Sequence, residues 1–532
     1  MNPNFRAKRP LVLVNKSLMT LVLVAIGVIS PVSLQAQISA PLALPMVSSQ
    51  LPTLGDGSAM SSADERRLGD RIAREIYRDP DYIDDPVLAE YVQGIWQPLL
   101  AAARLRGDLT PELDERFAWN VLLGRDRTVN AFALPGGYLG VHLGLIAVVN
   151  SRDELASVLG HELSHVTQRH ISRLISRQGQ QTPWLVGAMI LGALAASKSP
   201  DAGSALIVGG QALSAQSQLN FSRDMEREAD RVGFGVMTQA GFEAQGFVSM
   251  FDKLQQASRL NDNGAYPYLR SHPLTTERIA DMQARQALVA SGALNAPPTW
   301  EHAMIAARAR VLSNPGIDAL RSQLDEARPA HLVTLESARQ VAVLYGAALT
   351  ASRLRDFSKA RTYLAQLTPR VSSDASAARL ARLLGVEMAL AAGEVPQIPF
   401  DETSAVRRPE LFLGTQMVLQ TGQHAALDET ARRLQTWVAG HPKDAQAWQL
   451  LSSVYNAQGQ TLRAIRASAE TQVALLDYAA ALDRFKAAQA LVRKGFVDDD
   501  SVQAAAHYID ATIIDTRQRQ VEALFKEQAF ER

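Results

Sequence analysis

The sequence contains no cysteine among its 532 residues. It therefore has no disulfide, no thiol nucleophile, no cysteine metal ligand and no cysteine that a lipid could modify. This absence is compatible with either the cytosol or a periplasm. The chain also has no net charge, since 54 Lys and Arg residues balance 54 Asp and Glu residues. The overall charge thus gives no indication of a nucleic-acid partner.

The composition is otherwise that of a folded chain. Apolar residues make up 47% of the sequence and charged residues 20%, which is enough to bury a sizeable core. Because domains typically hold about 50–250 residues, the length predicts two to four of them.

The N-terminal apolar run is too short to span a bilayer. Residues 18–29 are nearly all apolar, whereas a membrane-spanning helix needs about 20 residues. Basic residues precede the run and small residues follow it, which is typical of a secretory signal peptide. We therefore predict a signal peptide at residues 1–36, cleaved after Ala36, with an uncleaved anchor as the alternative. Three prolines within residues 37–60 indicate a linker.

Residues 61–291 combine helical and extended patterns. The expected elements are helices at about 63–77 and 87–106, a strand at 117–123, two extended halves at 130–146 that Pro135, Gly136 and Gly137 separate, a helix opened by the capping pair Ser151 and Glu154 and ending near Arg177, and a helix opened by Ser222.

Residues 301–532 are alanine-rich and helical throughout, after a linker at 292–300 that contains Pro297 and Pro298. A period near 34 residues is visible there and resembles the tetratricopeptide pattern. The positions that carry it are Pro442, Trp448, Leu451, Tyr455, Gly459 and Ala464, with a degenerate copy at about 341–364. The pattern predicts a stacked helical array, and a plain helical bundle is the alternative.

His161, Glu162 and His165 form an H-E-x-x-H motif inside a predicted helix. Two histidines four residues apart share one helical face, so both rings can bind one Zn²⁺. Glu162 lies beside them and can take a proton from an attacking water molecule. Five-residue matches also arise by chance on surface helices. A further ligand is therefore needed to distinguish a zinc site from a chance match.

Glu226 is the favoured third ligand. It lies one helical turn from Asp230, so the two carboxylates face the same side. Glu226 would complete a His₂Glu site that leaves one position for water, and Asp230 would orient a ligand histidine. Glu228 is the competitor, but it points away from the apolar stripe of its helix and is expected to lie in solvent.

A three-histidine site of the metzincin type does not fit the sequence. That pattern requires glycine and histidine where the chain has Gln168 and Ile171. His170 lies five residues after His165, and we expect it to be packed or hydrogen-bonded rather than to bind metal.

Three segments together resemble the M48 family of zinc metallopeptidases: residues 130–146 (NAFALPGGYLGVHLGLI), 161–170 (HELSHVTQRH) and 222–230 (SRDMEREAD). The resemblance covers residues from about 55 to 290 strongly, and the rest only in architecture. With the signal peptide and the repeats, the chain is similar to the periplasmic branch of the family that acts in outer-membrane β-barrel assembly.

The resemblance implies a fold class and a site. The fold is a mainly helical α+β metallopeptidase domain of gluzincin type with a small β-sheet, followed by an all-α tetratricopeptide-type repeat domain. The site is one Zn²⁺ on His161, His165 and Glu226, with Glu162 as the catalytic base. The implied role is a periplasmic endopeptidase, chaperone-like as well, that degrades stalled precursors and contacts the outer-membrane assembly machinery through its repeats.

The segment around Pro135 is a candidate substrate-binding edge. A strand edge beside the metal can pair with an extended peptide, and the glycines would permit close approach of its backbone. The substrate-binding residues expected there are Asn130, Phe132, Gly136, Gly137 and Tyr138. An ordinary hairpin is the alternative interpretation.

Two further features stay open on the sequence. His272, in Ser271-His272-Pro273, is either a surface residue or a catalytic-site residue that donates a hydrogen bond to the transition state or blocks the metal as a fourth ligand. Apolar residues 184–215 are either core, a lid or a membrane-surface contact. The competing hypothesis for the whole chain is a non-proteolytic chaperone or scaffold with a structural or latent zinc site.

Overall fold

A computed structural model describes residues 60–177, 221–259, 265–289, 299–396, 407–422, 424–494 and 501–529. The predicted signal peptide, most of the first linker, the apolar segment 184–215 and nearly all of the second linker lie outside these residues. No helix in the described ranges is both long and apolar enough to cross a membrane.

In the first part of the fold, the described residues form ten helices and one small sheet. The helices are α1 (Ser62–Arg78), α2 (Pro86–Arg106), α3 (Pro111–Arg116), α4 (Leu143–Val148), α5 (Arg152–Thr167), α6 (His170–Arg177), α7 (Arg223–Gln239), α8 (Gln245–Arg259), α9 (Tyr268–Ser271) and α10 (Thr276–Val289). Side chains at the predicted N-caps satisfy free backbone N–H groups. Ser151 accepts from Glu154 N at 3.1 Å, and Ser222 accepts from Met225 N at 3.3 Å.

The sheet has three strands, β1 (Asn120–Gly124), β2 (Ala131–Leu134) and β3 (Tyr138–His142), in the order β1-β3-β2. β1 runs parallel to β3, and β2 runs antiparallel to it. The predicted break at Pro135 is confirmed as a single 3₁₀ turn, in which Gly136 has a φ of 71°. The turn leaves β2 as an edge strand of this sheet.

Two expectations about local structure are wrong. The extended segment was expected to reach Ile146, but Leu143–Val148 is helical, because a short apolar run fits a buried helix as well as a strand. The helix carrying His161 does not continue to Arg177. It ends at Thr167, and Arg169 takes a φ of 52° while its guanidinium donates to Glu65 at 2.9 Å. The chain then restarts as α6 at His170.

A glycine contact sets the crossing of α5 and α7. A Cβ added to Gly160 would lie 3.2 Å from Gly233 O, and one added to Gly233 would lie 2.9 Å from the Gly160 carbonyl carbon. The two backbones therefore touch. Glu226 lies seven residues and Asp230 three residues before Gly233, on the same face of α7. The crossing thus brings both carboxylates against His161.

The described residues of the second part form helices joined by turns, as predicted. Its elements are α11 (Trp300–Ser313), α12 (Ile317–Glu326), α13 (Pro329–Leu332), α14 (Ser337–Arg353), α15 (Phe357–Arg370), α16 (Ala375–Ala392), α17 (Arg408–Thr421), α18 (His424–Gly440), α19 (Ala445–Ala457), α20 (Thr461–Ala474), α21 (Tyr478–Lys494) and α22 (Ser501–Ala529). Leu451, Tyr455 and Ala464 are buried between α19 and α20, and Ala360 is buried in α15. The predicted fold class, a mainly helical α+β part followed by a helical array, is confirmed.

Three arginines of the helical array join it to the start of α2. Each pairs with one acidic residue at or just before α2 and with one carboxylate of the array. The three sets are Arg308 with Asp85 and Glu387, Arg379 with Glu90 and Glu410, and Arg408 with Asp84 and Asp444. Arg308 is buried and bidentate to Asp85 at 2.6 and 2.8 Å, so losing one partner of that pair would cost about 3–5 kcal/mol.

Candidate metal centre

Four side chains from three parts of the chain meet at one buried point. His161 and His165 come from α5, Glu226 from the first turn of α7, and His272 from the residue that ends α9. Each offers a nitrogen or oxygen atom, and these four atoms all lie within 4.8 Å of one another. The exposed fraction of each residue is 2% or less. The structure therefore places His272 in the centre rather than on the surface.

The distances between donor atoms are short and similar. His161 Nε2 lies 3.0 Å from His165 Nε2, 3.3 Å from His272 Nδ1 and 3.5 Å from Glu226 Oε2. Glu226 Oε1 lies 3.4 Å from His165 Nε2 and 3.0 Å from His272 Nδ1. These five donor separations thus lie between 3.0 and 3.5 Å, and all four residues offer donors within 4.8 Å of one another.

This spacing fits a shared cation. Donors that bind one ion tetrahedrally with bonds of about 2.0–2.1 Å are separated by about 3.3–3.4 Å. The observed separations of 3.0–3.5 Å bracket that value. Three imidazole nitrogens and a carboxylate oxygen also form a donor set that suits divalent transition metals. The residues present therefore fit a metal ion.

Asp230 and Arg278 contact the donor residues on the side that faces away from the cluster. Asp230 Oδ1 lies 3.0 Å from His161 Nδ1, the ring nitrogen that faces away from the cluster. The guanidinium of Arg278 donates to both Asp230 oxygens at 2.6 and 2.8 Å, and its Nη1 lies 2.8 Å from Glu226 Oε2. The same Nη1 donates to the carbonyl of Pro273 at 2.8 Å. One buried guanidinium thus holds Glu226, Asp230 and the residue that follows His272.

Glu162 lies between the cluster and strand β2. Its Oε2 accepts a hydrogen bond from Ala133 N at 2.9 Å, and its Oε1 lies 3.4 Å from His272 Nε2. Burial raises the pKa of Glu162 above the usual range of glutamate. A carboxylate with a raised pKa beside a potential metal site is suited to proton transfer near neutral pH.

The pKa directions of the donor residues indicate that the cluster favours a positive charge. Burial disfavours a charged His161, but the carboxylates of Asp230 and Glu226 outweigh it and raise the pKa of His161 to about 10. Burial and the neighbouring His161 hold the pKa of His165 well below its usual range. Burial opposes a charged Glu226, yet His272 and His161 hold its pKa well below its usual range. A divalent cation would replace the proton that His161 otherwise carries.

His170 and Glu228 lie on the outer side of His165. His170 Nδ1 is 2.9 Å from His165 Nδ1, and His170 Nε2 is 3.1 Å from Glu228 Oε2. Burial lowers the pKa of His170 to about 4 against the opposing effect of Glu228, so the ring is neutral near pH 7. His170 is hydrogen-bonded, as expected. Glu228 is not simply solvated, because it also accepts from Arg173 at 2.8 Å.

The predicted substrate-binding residues divide into two groups. Asn130 and Phe132 lie at β2, next to the strand residue that contacts Glu162. Gly136 and Gly137 instead approach other parts of the chain, since a Cβ on them would lie 2.7 Å from Arg66 Cα and from Phe117 Cβ, respectively. Tyr138 donates from its hydroxyl to Asp70 at 2.6 Å. The close approach at these two glycines is therefore to the chain itself, and their contact with a substrate stays a prediction.

Three residues that contact the cluster were not predicted from the sequence. Arg278 binds Asp230 and Glu226. Tyr268 stacks on His272 with ring centroids 4.5 Å apart, and Phe221 packs on His165 at 3.9 Å. All three are near a donor in sequence, because Tyr268 lies four residues before His272, Arg278 six residues after it and Phe221 five residues before Glu226. Their residue types carry no motif, and the contacts of Phe221 with His165 and of Arg278 with Asp230 depend on how distant segments meet.

Comparison with known proteins agrees with this geometry. A family model described as Peptidase family M48 matches residues 90–286, the range that holds all four donors. A putative beta-barrel assembly-enhancing protease of Vibrio cholerae is 30% identical over 449 residues, which cover 84% of this chain and 89% of the relative. The beta-barrel assembly-enhancing protease of Escherichia coli strain K12 is 28% identical over 479 residues, 88% of this chain and 92% of the relative.

A second group of relatives matches only part of the chain. A mitochondrial metalloendopeptidase of Arabidopsis thaliana is 30% identical over 165 residues, which cover 31% of each chain. The match to the relatives named for β-barrel assembly therefore reaches into the helical array, whereas the match to the mitochondrial relative leaves most of the chain uncovered.

Proposed function

The chain belongs to peptidase family M48 and is a metalloendopeptidase, and from this premise we propose that it hydrolyses unfolded or stalled proteins with one zinc ion held by His161, His165 and Glu226. The observation that carries the proposal is the convergence of His161 and His165, on the H-E-x-x-H helix, with Glu226 of α7, whose carboxylate oxygens lie 3.5 and 3.4 Å from the two ring nitrogens. Histidine and glutamate donors with such spacing are typical of zinc hydrolases.

The residues around the donors take distinct roles in this proposal. When bound, zinc would polarise the peptide carbonyl and lower the pKa of a water molecule. Glu162 accepts the proton of the attacking water and passes it to the leaving amine, because its carboxylate is the acid–base group beside the cluster. Asp230 fixes the orientation and tautomer of His161, and Arg278 fixes Asp230.

Strand β2 provides a surface for the substrate backbone. His142 N donates to Asn130 O at 3.0 Å, so the antiparallel alternation directs the backbone groups of Ala131 and Ala133 to the edge of β2 that pairs with no other described strand. Ala133 N already meets Glu162 there. We propose that an extended peptide pairs with this edge and that Asn130 and Phe132 contact it, while Gly136, Gly137 and Tyr138 hold the turn.

Metal removal tests the proposal directly. Dialysis against a chelator is expected to abolish cleavage of a reduced, unfolded reporter protein, and one equivalent of zinc per chain is expected to restore it. Zinc content is measured by atomic emission alongside the cleavage rate. Full activity of a preparation that contains less than a few hundredths of a metal ion per chain would refute the proposal.

His272 supports a further part of the proposal, that the centre is closed at rest. Its Nδ1 lies among the donor atoms, and the donors are buried, so substrate access requires His272 to move. A site with four protein donors keeps no position for water. The same closed set is what a structural zinc site has, which keeps a non-proteolytic scaffold as the alternative function.

Substitution of His272 distinguishes these cases. In His272→Ala, cleavage of an unfolded protein by the resting enzyme is expected to rise, because the fourth position becomes available while three donors remain. Initial rates and zinc content are measured together, with His331→Ala, an exposed histidine of the helical array, as the matched control. A cleavage rate equal to that of the unaltered enzyme would contradict a role for His272 at the site, and a fall at unchanged zinc content would favour a hydrogen-bond donor over a blocking ligand.

We place this activity in the periplasm, in outer-membrane protein assembly and quality control. The N-terminal sequence supports secretion, and the relatives that match most of the chain are named for β-barrel assembly. The array from α11 to α22 resembles tetratricopeptide repeats at α19 and α20, and repeats of this kind bind partner proteins. We therefore propose that the array docks the outer-membrane assembly machinery or its substrates, and that 184–215 is a candidate membrane-surface contact.

A further inference from the structure

The two ligand histidines of α5 are supported in different ways. His161 turns its outer nitrogen to a carboxylate, Asp230, at 3.0 Å. His165 turns its outer nitrogen to another imidazole, that of His170, at 2.9 Å. Given the proposed metal role of His165, we propose that His170 and Glu228 are positioning residues that fix the tautomer and ring orientation of His165.

The positions of the protons follow from the contacts. When His165 offers the lone pair of Nε2 to a metal ion, its proton resides on Nδ1. That N–H faces His170 Nδ1, which can accept it only as a bare nitrogen. A neutral His170 then carries its own proton on Nε2, and this N–H points to Glu228 Oε2 at 3.1 Å. The hydrogen bonds from His165 to His170 and from His170 to Glu228 are therefore compatible with one placement of the ring protons.

Glu228 is itself held in place. Its Oε2 also accepts from Arg173 Nη1 at 2.8 Å, which keeps the carboxylate charged and facing α6. Arg173 and His170 both lie in the first turn of α6, so one carboxylate of α7 clamps the start of that helix. The break of the chain at Arg169 is what brings His170 back onto His165, because a continuous helix would carry a residue five positions on round to another face.

The chemistry of this support differs from that of Asp230. A carboxylate stabilises an imidazole N–H by charge and raises the basicity of the ligand. A neutral imidazole supplies a hydrogen bond with a defined direction and little charge. The centre thus combines one charged and one neutral support, and only the neutral one depends on the tautomer of a third residue.

Two amide substitutions separate the two hydrogen bonds of His170. Asparagine places its carbonyl oxygen near the position of Nδ1 and keeps an acceptor for His165. Glutamine reaches the position of Nε2, keeps the link to Glu228 and removes the acceptor for His165. We expect His170→Gln to weaken zinc binding by about 10–100-fold and His170→Asn to weaken it by less than about threefold, as the loss or retention of a hydrogen bond to a ligand predicts.

The measurement is zinc affinity of the full chain by competition with a chromogenic chelator, with the melting temperature of the zinc-free protein as a test of folding. Rescue by Asn relative to Gln supports the proposal, since a purely structural role would affect both amides alike. Equal losses in both variants, or no loss in either, overturn it. Selective ¹⁵N labelling of histidine provides a second readout, and a proton on Nδ1 of His170 in the zinc-loaded protein would also overturn it.

The inference about His170 can fail while the proposed function stands, and the measurements distinguish the two failures. If the unaltered chain binds zinc and loses cleavage on chelation, the proposed function stands whether or not the two amides differ. If the unaltered chain binds no zinc, the proposed function fails, and the inference about His170 fails with it.

Discussion

Glu162→Gln is expected to lower the rate of cleavage of an unfolded protein by about 10²–10⁴-fold, the range typical of a lost general base. The amide keeps the volume of the side chain, and its carbonyl oxygen can still accept the hydrogen bond that Ala133 N gives to Glu162 Oε2 at 2.9 Å. It cannot take a proton from water. Zinc content is expected to stay at one ion per chain, because Glu162 is not among the four converging donors.

The control for this variant is Glu277→Gln. Glu277 lies on α10 near the site, but its side chain is 72% exposed and pairs with Arg227 in solvent. Its cleavage rate and zinc content should match those of the unaltered protein. If Glu162→Gln retained the activity of this control, the metal would have to act without Glu162, and the scaffold alternative with a structural ion would gain support.

The elements that the sequence predicted best are those with local signals. Ser151 and Ser222 begin their helices because each side chain satisfies a backbone N–H three residues on. The turn at Pro135 was visible because a proline and two glycines interrupt the extended pattern, and glycine adopts the φ of 71° at Gly136 without steric cost. Where local signals were ambiguous, as for the apolar run that forms α4, the packing of the fold decided the structure.

The metal centre was predictable only in part for the same reason. Helical spacing placed His161 beside His165 and Glu226 beside Asp230, because residues one turn apart share a face. Spacing could not show that His272 enters the cluster, since this depends on α9 folding back onto α5. It also could not show Arg278 joining Glu226 to the carbonyl after His272. The contacts of His272 and Arg278 with Glu226 connect residues more than forty positions apart, and only the tertiary structure brings them together.

Glu226→Gln is expected to abolish both zinc binding and cleavage, in contrast to the selective loss of cleavage in Glu162→Gln. The amide lacks the negative charge that Glu226 contributes to this donor set, and the loss of this charge leaves the guanidinium of Arg278, 2.8 Å away, without one of its buried ion-pair partners. Zinc affinity should fall by more than the roughly 10–100-fold that is typical for residues that only support a ligand.

Thermal unfolding measures the same loss independently of activity. A ligand that binds the folded state at about 100 times its Kd stabilises it by about 2.7 kcal/mol, so zinc should raise the melting temperature of the unaltered chain but not that of Glu226→Gln. Asp224→Asn is the matched control, because it changes a carboxylate two residues earlier on α7 whose side chain is 85% exposed. A zinc-dependent rise of equal size in Glu226→Gln would show that three histidines suffice to bind the ion, and the role of third ligand would then pass from Glu226 to His272.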